Sequence, residues 1–118
     1  SQAFHDRQQF HQRDALEEQR RLDAESGLRN TGEIGASLFA PGSAFACYRT
    51  QGLERLTMPV LVAVGAHDRA VGVAPQRALA RAMPQGRLAV FEGSAHFPYA
   101  EEPAAFDARL LRFLSTGD

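Results

Sequence analysis

Cysteine is almost missing from this chain: Cys47 is the single one in 118 residues. No intrachain disulfide can form, and no CxxC pair or Cys/His cluster at zinc spacing is present, so neither a disulfide framework nor a metal site is expected. A reducing, cytoplasmic setting follows from the same scarcity. A surplus of charge is missing too. The formal net charge of −1 supplies no electrostatic reason to expect nucleic acid or an anionic membrane as partner. No apolar run approaches the roughly 18 residues that would cross a bilayer, and the polar beginning is unlike a signal peptide. An initiator methionine is also lacking before Ser1, and the expectation is a processed or truncated piece.

What is present centres on Met58 to Asp68, MPVLVAVGAHD. Val60 to Val64 are continuously apolar and mostly β-branched, the pattern of a strand covered on both faces in a parallel α/β sheet. Pro59 suits the first strand position, where a missing N–H costs least. Gly65 reads as the residue that lets the chain turn sharply. Ala66, His67 and Asp68 then lie beyond the carboxyl end of the strand, the edge at which open α/β sheets carry their sites.

Before this strand, residues 3 to 25 are polar and free of internal Gly and Pro, which predicts a peripheral helix ending at Gly27. Its apolar stripe of Phe4, Phe10, Leu16 and Leu22 is narrow. His5 and His11 lack the i, i+4 spacing of a helical metal pair and read as solvated side chains. Arg20 and Arg21, with Glu17 and Glu18, read as a salt-bridged surface. Leu28 to Gly42 has loop composition. Ser43 would cap a short helix through Tyr48 that ends near Gly52, with another turn over Leu53 to Leu56. Cys47 has no histidine near it in sequence and reads as a packing residue. Phe45 and Tyr48 read most simply as core filling, yet together with Phe97 they are the candidates for lining a substrate pocket.

After the strand, Val71 to Ala74 predicts a loop and Pro75 the first turn of a helix over Gln76 to Met83, stopped by Pro84. Arg87 to Phe91 is a second apolar strand, and this spacing implies a right-handed parallel crossover. Pro103 opens a last helix, whose Phe106, Leu110, Phe113 and Leu114 form a stripe that should cover the sheet. Asp68 and His96 thus each follow one of two neighbouring parallel strands. A carboxylate that accepts from Nδ1–H of an imidazole fixes its tautomer and leaves Nε2 to take a proton from a hydroxyl. Taken singly, such an aspartate serves equally well as a turn cap and such a histidine as a structural residue.

PVLVAVGAHD followed by VFEGSAHFPYAEEPAAFDARLLRFL resembles the C-terminal portion of an α/β-hydrolase-fold enzyme. In that family the acid and the histidine follow late strands, in that order. The resemblance implies that Asp68 is the triad acid and His96 the triad base. SAHFPYAEEP is similar to proline iminopeptidases and to related esterases, lactonases and C–C bond hydrolases. By the same analogy, residues 1–52 are a helical cap segment and residues 53–118 the C-terminal βαβα part of the core. The implied substrate is a small molecule or peptide, and no cofactor is implied.

The nucleophile is the departure from that pattern. No serine is flanked by glycine at both −2 and +2, so the G-x-S-x-G elbow is missing, and Ser94 belongs to the turn bearing the histidine. The expectation is therefore a fragment that supplies the acid and histidine for hydrolysis of an ester, amide or N-terminal peptide bond. Its partner would be the N-terminal half of the hydrolase core. Alone it should be inactive and, with an open strand edge, should self-associate as a homo-oligomer, aggregate or be partly disordered. The alternative is a non-catalytic hydrolase-like binding module or an interaction element.

Overall fold

The structure is a computed structural model that describes Ala3, Asp6, Gln9, residues 10–26 and residues 52–118. The expected helix after Ser43, with Phe45, Cys47 and Tyr48, lies outside the described residues. In order, the described elements are α1 (Arg13–Ser26), a 3₁₀ turn (Leu53–Arg55), β1 (Val60–Gly65), α2 (Val73–Arg81), β2 (Gly86–Phe91), α3 (Pro98–Glu101) and α4 (Pro103–Thr116). The result is a mixed α/β arrangement. Among the described residues, no helix is long and apolar enough to cross a membrane.

β1 and β2 pair in parallel, with Val60 opposite Gly86 and Gly65 opposite Phe91. Side-chain alternation sends Val60, Val62 and Leu88 to one face, where they pack with Leu79 and Ala80 of α2 and with Met83 just beyond it. Ala89 and Phe91 face the other side, and the Phe91 ring meets Phe106 of α4 at a centroid separation of 5.6 Å. Burying apolar side chains on both faces is the main stabilisation open to so small a sheet. Among the described residues the sheet has only these two strands.

Several boundaries differ from the expectation. α2 begins at Val73 inside the predicted loop, because Gly72 adopts a φ of 91°, a left-handed value that favours glycine, and lets the helix start before Pro75. The same helix ends at Arg81. α4 covers the sheet only in part: Phe106, Leu110 and Phe113 are half-buried, but Leu114 is 69% exposed. The polar N-terminal stretch is not one helix. Ala3, Asp6 and Gln9 are helical, Phe10 to Gln12 leave helical geometry, and α1 starts at Arg13. The helix breaks where the His11 and Gln12 amides turn to the Glu101 carboxylate. Arg20, expected on the solvated surface, reaches back across this break to the buried Asp6 at 2.5 Å.

Candidate active site

Asp68 stands in the turn that follows β1. Its Oδ1 accepts hydrogen bonds from the amides of Ala70 at 2.8 Å and Val71 at 3.0 Å, the local bonding that aspartate favours in turns. The other oxygen, Oδ2, lies 3.0 Å from Nδ1 of His96. Asp68 is thus a turn cap and a histidine partner at once. Amides of its own turn fix the carboxylate, so one oxygen is aimed by neighbouring backbone.

His96 follows β2 in a turn held quite differently. Its own amide donates to Gln9 O at 2.7 Å. Ala95, the preceding residue, donates its amide to Glu101 Oε2 at 2.7 Å. Ser94 donates from Oγ to Glu102 Oε2 at 2.5 Å, and the Gly93 amide donates to the same oxygen at 3.1 Å. The turn also docks on the turn after β1: His67 N donates to Ser94 O at 2.9 Å. A Cβ on Gly65 would lie 1.9 Å from Ala95 O and 2.4 Å from Ser94 O. Gly65 is needed for this approach rather than for a sharp turn, since its φ is not positive.

The Asp68 side chain is 4% exposed and that of His96 31%. Burial raises the Asp68 carboxyl, but the Val71 amide, the His96 ring and the Ala70 amide together hold it below the ordinary carboxylate value. Asp68 is consequently ionised at neutral pH and accepts from Nδ1–H. In the neutral ring that donates from Nδ1, Nε2 is the acceptor, and no hydrogen-bond partner occupies it among the described residues. The arrangement can draw a proton from a hydroxyl and stabilise the resulting imidazolium.

The remaining candidates separate clearly. His67 is exposed, and its ring stacks on His11 at 3.7 Å with an interplanar angle of 1°, away from the pair. His11, read as simply solvated, therefore has a ring partner. Ser94 is fully buried and bonded to Glu102, which suits a turn residue. Phe97 makes an edge contact with the His96 ring at 4.9 Å and another contact with Phe10 at the same separation. It borders a cavity of about 200 Å³ together with Phe10, Leu16, Arg20 and Tyr99. Neither Asp68 nor His96 lines that cavity. Phe45 and Tyr48 lie outside the described residues. Among the described residues, no group of three His, Cys, Asp or Glu side chains could hold a metal ion.

Glu101 and the Gln9 to Gln12 stretch were not legible as parts of the site. Glu101 and Glu102 adjoin in sequence and look like any exposed acidic pair. Only the tertiary fold buries Glu101 to 9% exposure between two amide-bearing turns.

Among curated proteins, uncharacterized proteins of Mycobacterium tuberculosis (strains H37Rv and CDC 1551) and of Mycobacterium bovis match this chain. Each is 36% identical over 70 residues, or 59% of this chain. The chain spans about a fifth of the length of these relatives, 19% of each being covered. No family model matches, and no solved structure matches.

Proposed function

We propose that this chain is the acid-and-histidine portion of a serine-type α/β hydrolase, preceded by a cap segment, which cleaves an ester, amide or N-terminal peptide bond. The observation that carries the reading is the 3.0 Å contact between Asp68 Oδ2 and His96 Nδ1, formed beyond the carboxyl ends of two parallel strands with Nε2 left open. In the complete enzyme Nε2 takes the proton of a serine hydroxyl supplied by the other half of the core. The oxygen attacks the substrate carbonyl, and Asp68 stabilises the imidazolium. His96 then returns the proton to the leaving group, and a water activated in the same way releases the acyl group. The oxyanion donors belong with the nucleophile, outside this chain. A sheet edge left unpaired among the described residues is where a strand of that other half would pair.

The test uses the full reading frame that contains this chain, treated with a fluorophosphonate probe and assayed on p-nitrophenyl esters. Labelling of a serine outside residues 1–118, lost in His96→Ala, supports the reading. A cooperatively folded full-length protein that neither labels nor turns over would overturn it in favour of a non-catalytic binding module.

A further inference from the structure

We infer that Glu101 is a positioning residue for His96, and that through it the alignment of the histidine depends on the docking of the polar N-terminal segment. This rests on the hydrolase reading above and adds to it a residue that never touches the reacting atoms.

One carboxylate joins two pieces of chain that are remote in sequence. Glu101 Oε1 accepts from the amides of His11 and Gln12, the latter at 2.6 Å. Oε2 accepts from Ala95 N at 2.7 Å. The amides of His11 and Gln12 lie just before α1, where a helix lacks internal acceptors and a negative charge is stabilised. The same stretch grips the histidine turn at two more points: Gln9 O accepts from His96 N at 2.7 Å, and Gln12 Nε2 donates to Gly93 O at 2.8 Å. His96 is therefore held by its own amide and by that of its predecessor, and both bonds run through the Glu101 and Gln9 to Gln12 clamp. Among the described residues, the ring itself meets Asp68 and the edge of Phe97.

A carboxylate suits this position because every facing group is a donor. The amide in Glu101→Gln keeps one acceptor oxygen and turns an NH₂ toward an N–H, so one side of the clamp opens whichever way it sits. The imidazole then loses alignment while Asp68 stays in place, because Asp68 takes its hold from Ala70 and Val71.

The experiment measures kcat, KM and the downfield Nδ1–H proton resonance of His96 in the full-length protein. Glu101→Gln is expected to lower kcat about 10- to 100-fold, the scale of a misplaced catalytic group, with KM changed less than about twofold and the resonance shifted or broadened. Glu25→Gln, on the exposed face of α1, is the control and should leave all three unchanged. An unaltered kcat and resonance in Glu101→Gln, with His96→Ala inactive, would sink the inference and leave the hydrolase reading standing. If His96→Ala retains full activity, the hydrolase reading itself fails. Should Glu101→Gln not fold, Gln12→Ala carries the test, because it loosens the clamp at the surface. A fall in kcat of about three- to tenfold, the worth of one ordinary hydrogen bond, supports the inference, and wild-type kcat overturns it.

Discussion

The two halves of the candidate pair are anchored by opposite means. Asp68 is held by amides two and three residues further along its own turn. His96 is held by Gln9, and its turn by Glu101, Glu102 and Gln12. The acid end needs little beyond a strand, a turn and the aspartate. The base end needs the N-terminal segment and α3 folded against it. The acid should thus tolerate distant substitutions that disturb the base, since a local turn retains its hydrogen bonds when remote contacts loosen.

The strongest way to sharpen this comparison is to break the pair itself in the full-length protein. Asp68→Asn should preserve the turn, because the amide oxygen can still accept from Ala70 and Val71, yet present the wrong group to Nδ1. Turnover of an activated ester should fall by roughly 10⁴, the size known for the corresponding change in a serine protease. His96→Ala should be comparably damaging, and the double variant little worse than either single one. Additive losses would mean that the two residues act independently.

Next in size is the contact between the two ends. In Gly65→Ala the new methyl would meet the Ala95 and Ser94 carbonyls at 1.9 and 2.4 Å. Backbone on both sides leaves no flexible side chain to move aside, so about 3 kcal/mol of stability should be lost, the upper end for overpacking. A urea midpoint unchanged from wild type would show that the histidine turn is not seated on β1 as described.

A pH series separates the ends further. Asp68 has a folded pKa below its ordinary value, so the stabilisation it contributes is complete above about pH 4, the ordinary carboxylate range, and is lost as pH falls through the depressed value. The difference in urea midpoint between wild type and Asp68→Asn should therefore be largest near neutrality and shrink in acid. A difference that grows on acidification would contradict the charged, hydrogen-bonded state of Asp68.

The smallest effect concerns the neighbouring histidine. Since the His67 ring stacks on His11 and not on the pair, His67→Ala should cost less than about tenfold in kcat, under 1.4 kcal/mol of transition-state stabilisation. A loss equal to that of His96→Ala would show that the wrong histidine carries the chemistry.

Much of the fold was legible because its signals are local. The apolar runs from Val60 and Arg87, the prolines at 59, 75 and 103, and the turns after each strand mark two strands and two helices within a few residues of where they lie. The break at Phe10 to Gln12 was not legible, since nothing in that polar stretch disfavours a helix. The stripe on α4 promised more burial than Leu114 receives, because periodicity reports a face and not what is placed against it.

By itself, the sequence determined the parallel strand pair, the location of Asp68 and His96 at its carboxyl edge, and the absence of a serine elbow from this chain. Each is a matter of residue type and short-range spacing. Tertiary structure alone decided that Glu101 is buried, that Gln9 to Gln12 leave the helix to grip the histidine turn, and that Gly65 is needed for contact. Those outcomes depend on backbone donors brought together from opposite ends of the chain, and a backbone amide looks the same at every residue until the fold gives it a partner.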